Sequence, residues 1–361
     1  MKVLFPPACI LLISLGVTTF SSADTQPIHS RIPAANELFL QAHQYLSQSD
    51  PRVGGKMVNA RKAIQLYQLA VEQDPNFALA YVEMSRAWLR LGYSNPDGAS
   101  NDEIMPAAKA ALAKAVALDP NLSDAHLMLA ALAFNIDYEW AKADREYKQG
   151  IALQPNNADA HANYAAYLSA MGRFSEALNQ ATQANTLAPS AATDFVFARI
   201  YYAMHRYAEA ADFCKKSLAS QNNLAVRFYL GLIYAAEKQY DRAIPELKST
   251  TRENNGGALA GLAYAYAMAG DRSQAQELLN KLYAGKESGL IVPYRIAAVY
   301  LALGNHDKAF EWLGKSYAEH DNWTAQLNVD PVMDPLRSDP RFEELLRKMG
   351  FRQLRRVGRA G

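Results

Sequence analysis

Residues 167–184 read YLSAMGRFSEALNQATQA. An apolar helix runs into Met171-Gly172, a short turn follows, and Arg173-Phe174 opens a second helix with Ala177 near its start. The same plan returns in YYAMHRYAEAADFCKKSL (201–218), GLIYAAEKQYDRAIPELKS (231–249), AYAMAGDRSQAQELLNKL (265–282) and VYLALGNHDKAFEWLGKS (299–316). The alanine near the start of each second helix serves as a marker: Ala63, Ala108, Ala143, Ala177, Ala210, Ala243, Ala275 and Ala309. Successive markers lie 45, 35, 34, 33, 33, 32 and 34 residues apart. A period near 34 leaves room in each unit for two helices of about 12–14 residues and little else.

Close approach explains the marker. Where the two helices of a hairpin cross, a side chain larger than methyl pushes them apart. Four residues later, on the same helix face, larger groups fill the space between units: Tyr67, Leu112, Tyr147, Cys214, Leu247, Leu279 and Leu313, with Ala181 thinner in the fourth. The first helices pair a small residue with a ring three later, as in Ala42/Tyr45, Ser85/Trp88, Ala198/Tyr201, Gly231/Tyr234, Ala263/Tyr266 and Ala297/Tyr300. Three second helices end at a proline, in AVEQDPNFALAY (70–81), AVALDPNLSDAH (115–126) and GIALQPNNADAH (150–161). The neighbouring Asn or Asp is placed to cap the next helix.

Taken together, GRFSEA (172–177), DPNFALAY (74–81) and LGLIY (230–234) resemble the tetratricopeptide repeat, over about residues 34–319. The resemblance implies an all-α, right-handed solenoid of about eight helix hairpins, at residues 34–320, that binds protein or peptide. Two insertions, in SQSDPRVGGKMVNARKAI (47–64) and LGYSNPDGASNDEIMPAAKA (91–110), lengthen early turns. With the ending LNVDPVMDPLRSDPRFEELLRKMGF (327–351), they resemble a bacterial subfamily often fused to sensor, kinase, cyclase or winged-helix domains. Where such a domain would stand, the sequence is expected to carry an export signal.

Residues 321–351 break the period. Trp323, Leu327, Val329, Met333 and Leu336 form a compact apolar segment, and Pro340 starts a last helix. A terminal repeat otherwise exposes an apolar face, so this segment is expected to be a C-terminal helical cap. The basic tail 352–361 reads as a frayed end. At the other terminus, Lys2 precedes an apolar core from Ala8 to Val17, and Ser21-Ser22-Ala23 offers a cleavage site. That grammar predicts a signal peptide at 1–23, a linker at 24–33 and a periplasmic or secreted protein, with an uncleaved membrane anchor as the alternative. Pro6-Pro7 interrupts the apolar run, and no other uninterrupted 18-residue apolar window exists, so no span is expected after cleavage. Cleavage also leaves Cys214 as the sole cysteine, a buried small hydrophobe by its place on the packing face.

The 361 residues carry 37 Lys plus Arg against 36 Asp plus Glu, a formal charge of +1 that argues against a broad nucleic-acid surface. The 63 alanines argue for helices and against an all-β or disulfide-stapled fold. No phosphate loop, HExxH, GxSxG, CxxC or EF-hand pattern occurs, so neither catalytic residues nor a cofactor or metal is expected. His126 and His161 share the string D-A-H at equivalent repeat positions, without a recurring ligand partner at i+4.

A solenoid offers the concave surface built by its first helices. Positions one after the small residue, or three before it, should face inward: Val82, Arg86, Phe134, Phe195, Arg199, Phe228, Tyr264 and Tyr294, with Arg90 and Tyr202 a turn further on. This aromatic lining with three arginines suits an extended or helical peptide with apolar side chains and one carboxylate. Two other readings stand beside the scaffold: a structural or self-associating protein using its convex face or ends, and an enzyme or sugar-binding protein using the groove.

Overall fold

A computed structural model describes residues 30–48, 58–94, 101–251, 256–285 and 291–351. The expected leader, most of the linker, the inserted parts of the two early turns and the basic tail lie outside the described residues.

Seventeen α-helices and no strand occur among the described residues. Sixteen of the helices pair into eight hairpins. These are α1 (Pro33–Gln48) with α2 (Val58–Gln73), α3 (Ala78–Ser94) with α4 (Asn101–Leu118), α5 (Ser123–Leu132) with α6 (Trp140–Leu153), and α7 (Ala158–Ala170) with α8 (Phe174–Leu187). The rest are α9 (Ala191–Ala203) with α10 (Tyr207–Ser220), α11 (Leu224–Ala236) with α12 (Tyr240–Ser249), α13 (Gly256–Met268) with α14 (Arg272–Ala284), and α15 (Pro293–Ala302) with α16 (His306–Ala318). Two short 3-10 turns (Asn322–Gln326 and Pro331–Leu336) and α17 (Pro340–Lys348) follow. The chain is an all-α solenoid of helix hairpins with a helical C-terminal segment. Its first helix begins at Pro33.

All eight marker alanines are fully buried, and so are the groups four residues after them, Ala181 included. Gly231 shows how tight the hairpin crossing is. A Cβ there would lie 2.5 Å from Leu247 Cγ, which is itself fully buried. Gly231→Ala should therefore lower the unfolding free energy by about 1–3 kcal/mol through overpacking; urea denaturation checks this, and an unchanged midpoint would contradict it.

Turns within the hairpins close alike. A residue with positive φ follows each first helix from α7 onward: Gly172, His205, Lys238, Gly270 and Gly304. The next N–H donates back five residues, as from Arg173 to Leu168 O (2.9 Å) and Gln239 to Tyr234 O (2.8 Å), so the last carbonyls are satisfied. Lys238 holds φ 59° with a Cβ, in the left-handed region where glycine costs nothing. Lys238→Gly is expected to raise stability by about 0.5–1 kcal/mol, read as a higher Tm. Side-chain caps open the following helices: Asn157 accepts from Ala160 N–H (3.0 Å) and Asn223 from Ala225 N–H (2.9 Å).

The described residues divide into two compact units, Met1–Ala133 with Ala141–Asn156, and Phe134–Trp140 with Asn157–Gly361. The first holds α1–α5 and most of α6. Within it, Ser123 Oγ donates to Gly150 O (2.9 Å), and Leu127 packs against the bare Cα of Gly150.

The second unit holds α7–α17 and is joined across long sequence separations. The expected cap does more than cover the last hairpin. Its 3-10 turns fold back over the first helices, and Trp323, Leu327, Met333 and Leu336 are buried there. Residues 134–140 meet the same segment. Tyr138 Oη donates to Asp321 O (2.8 Å), His320 Nδ1 pairs with Ile136 O (2.6 Å), and Trp140 Nε1 donates to Met349 O (2.5 Å). The Trp140 ring stacks on Phe351 with centroids 4.7 Å apart.

Candidate functional site

The ten residues expected to line one groove separate between the two units. Val82, Arg86 and Arg90 belong to the first, and all three are buried. The third-turn spacing of α3 puts Glu83 beside Arg86, whose Nε donates to Glu83 Oε1 at 3.2 Å. His43 of α1 approaches the other carboxylate oxygen at 4.0 Å. Burial pulls the His43 pKa below its usual 6.5 against the pull of Glu83. Burial likewise raises Asp124, with Arg86 opposing. For Arg86, burial favours loss of charge, but Glu83 and Asp124 outweigh it and hold the guanidinium charged. His43, Glu83, Arg86 and Asp124 form a largely buried polar cluster rather than an open lining.

In the second unit, Phe134, Tyr202, Phe228, Tyr264 and Tyr294 are also buried. The chain's own C-terminal segment occupies the space that they face. Asp330 Oδ2 accepts from Tyr294 Oη (2.9 Å), while Oδ1 accepts from Val332 N–H (3.0 Å) and Tyr202 Oη (3.5 Å). Asp321 accepts from the N–H groups of Tyr294 and Trp323, each at 3.1 Å. The Arg295 guanidinium lies 3.8 Å from the Trp323 ring centroid and 4.7 Å from that of Phe228. Burial first, and Asp330 second, pushes the hydroxyls of Tyr202 and Tyr294 well above the ordinary tyrosine range. These phenols remain donors to the carboxylate throughout the neutral range.

Eight of the ten positions are therefore buried rather than lining an open groove. Asp330, Trp323, Tyr229 and Arg295 complete the lining. Tyr229 and Arg295 stand one residue beyond the expected Phe228 and Tyr294, while Trp323 and Asp330 come from the segment expected to be a cap.

Two of the ten are half-buried: Phe195 and Arg199, both on α9. Phe195 meets Tyr229 edge-on at 5.2 Å, and the Arg199 guanidinium lies 5.6 Å from the Tyr229 centroid. Beside them, Ala166, Ser169, Val196, Ile200, Ala203, Gln326, Val329 and Asp330 enclose a cleft of about 20 Å³, room for one water-sized group.

Nothing among the described residues gathers three or more His, Cys, Asp or Glu into a metal-binding group. His126 bonds Glu146 (2.7 Å) and His161 bonds Gln180 (2.6 Å), each to the second helix of its own hairpin. Burial pushes the Cys214 thiol up to about 12, which keeps it protonated. No described helix is long and apolar enough to cross a membrane.

Comparison with known proteins agrees with the hairpin architecture. A family model described as "Tetratricopeptide repeat" matches residues 146–179. The type IV pilus assembly protein PilF of Pseudomonas aeruginosa is 28% identical over 165 residues, 45% of this chain. The match spans 61% of that relative's length. Two solved structures share the fold at 15% identity. Human IFIT1, in a dimer with m7Gppp-AAAA, has a TM-score of 0.53 over 88% of this chain and 85% of its own. Yeast Tom70 has a TM-score of 0.50 over 91% of this chain and 70% of its own. The 34-residue period, the buried alanine at every hairpin crossing and the match over residues 146–179 together show hairpins of the tetratricopeptide-repeat type in this chain.

Proposed function

We propose that this protein is a non-catalytic scaffold in the cell envelope or exported space, binding an extended segment of a partner protein on the inner surface of its second unit. The observation that carries the reading is the half-buried pair Phe195 and Arg199 on α9, with Arg199 at the cleft and Phe195 against Tyr229, beside a surface that already holds the protein's own C-terminal segment. Tetratricopeptide-repeat arrays act as protein-interaction scaffolds. The partial likeness to a pilus assembly protein supports a role in building an envelope structure. The leader at 1–23, cut after Ala23, carries the location.

The test is covalent capture of partners in the exporting compartment with wild type and with Phe195→Ala/Arg199→Ala. The double variant is expected to fold normally and to lose its partner, and the mature chain to begin at Asp24. Undiminished capture would overturn the inner surface, and retention in the cytoplasm would overturn the location.

A further inference from the structure

We infer that the groove between α16 and α17 docks an amphipathic α-helix of a partner protein. That helix lays a leucine or phenylalanine over Gly314 and places an acidic residue about one turn to either side. This is a second docking surface, separate from the inner surface proposed above.

Both ends of a repeat run need a finish, because an internal repeat leaves an apolar face for the next one. At the start of the chain the finish is polar. Glu37, Gln41 and Gln44 are exposed on α1, at places where the register of α3 buries Ala80, Met84 and Ala87. After α16 the finish is partial. α17 runs beside α16 in the same sense, since Arg341 Nη1 donates to Asp307 Oδ1 (2.7 Å) near the start of both, and Tyr317 Oη donates to Lys348 O (3.4 Å) near their ends. A following first helix would run the opposite way. Between the two helices lies a groove of about 410 Å³. Half-buried Phe310 and exposed Gly314 form one wall, and Arg341, Glu344, Leu345 and Lys348 the other.

Gly314 points to a knob. Gly150, Gly231 and Gly261 also sit inside helices, and at each the missing Cβ makes room for a large apolar side chain of a neighbouring helix: Leu127, Leu247 and Phe228 respectively. At Gly314 nothing stands within 4 Å of the place a Cβ would take. Glycine weakens a helix interior relative to alanine, so its use here fits a knob that arrives from another molecule.

Charge sets the chemistry of that molecule. Two of the three charged groups lining the groove are cations. Glu344 is already met by Arg347 (2.7 Å), whereas Lys348 is well exposed and comes only within 3.9 Å of Glu344. Arg341 binds Asp307 and Asp339 at the surface, where such pairs exchange at little cost. Arg341 and Lys348 stand seven residues apart on α17, two helical turns, so acids seven apart on the incoming helix span them with the knob midway. Within no described helix of this chain do acids at that spacing flank a leucine or phenylalanine, which sets a second copy aside.

The test uses full-length protein and three alanine- and glutamine-based helical peptides with blocked termini, followed by fluorescence anisotropy. One carries the core EAALAAAE, the second EAAAAAAE and the third KAALAAAK. The first should bind at least about tenfold more tightly than the second, through burial of the leucine, and about fivefold more tightly than the third. Gly314→Leu fills the groove from within, where a Cβ meets nothing, so it should keep or raise the Tm while weakening the first peptide by about tenfold or more. Lys348→Glu should bring the first and third peptides together in affinity. Phe195→Ala/Arg199→Ala should bind the first peptide as wild type does, which separates failure here from failure of the inner surface. Equal binding of the first and second peptides, or undiminished binding by Gly314→Leu, would overturn the groove as the docking site. Equal binding of the first and third would overturn the acidic partner helix. Absence of saturable binding up to about 1 mM peptide would overturn the whole inference.

Discussion

Trp323→Ala is expected to cost about 3–5 kcal/mol, the range for a large buried aromatic truncated to a methyl group. The indole fills the interior of the second unit, with Tyr229 at 6.3 Å between centroids and the Arg295 guanidinium at 3.8 Å. Arg295 is itself buried, so truncation removes the π face beside a desolvated cation as well as leaving a void. The backbone N–H of residue 323 still reaches Asp321, so the turn itself is kept and the loss reports on packing. Guanidinium unfolding followed by tyrosine fluorescence gives the number. Trp323→Phe should lose less than half as much. A cost for the alanine variant below about 1 kcal/mol would mean that the C-terminal segment is a loosely attached strap rather than core.

Arg86→Met is expected to destabilise the first unit by about 3–5 kcal/mol, because Glu83 then keeps a buried charge with its nearest cation gone. Adding Glu83→Gln should recover most of the loss, since the pair costs less removed than broken. The pH dependence has a definite sign. Burial already raises the folded-state pKa of Asp124, and Arg86 opposes that rise. Without Arg86 the folded value climbs further, so the deficit should be smallest in acid, where the carboxyl is protonated in both states. It should grow as pH rises from the unfolded value near 3.8 through the raised folded value. Urea midpoints across that window check the slope. A deficit that shrinks with rising pH would contradict the cluster's role. Partner capture by the folded fraction should be unchanged, which separates this buried arginine from Arg199.

The contrast between the two arginines shows what a repeat pattern carries. Arg86 and Arg199 occupy the same register after a small residue on a first helix, and both point inward. One is buried in an ion-paired cluster, and the other stands half-buried at a cleft without an ion pair to any described residue. Period and register are one-dimensional properties, written into every unit. Whether an inward side chain meets solvent depends on residues more than 100 positions away, as when Asp330 reaches Tyr202.

The alanines at hairpin crossings, the left-handed turn residues and the inward aromatic positions follow from local geometry. A 34-residue unit must pack against its neighbours in one way, so its spacing reports the fold. The break in period after residue 320 likewise marked a distinct terminal segment. Its apolar content showed that it must be covered, without naming the surface that covers it. That choice belongs to three-dimensional complementarity. The aromatic interior of the second unit offers hydroxyl donors to Asp330 and a flat cation to Trp323, and the segment buries both there rather than leaving the groove open to water.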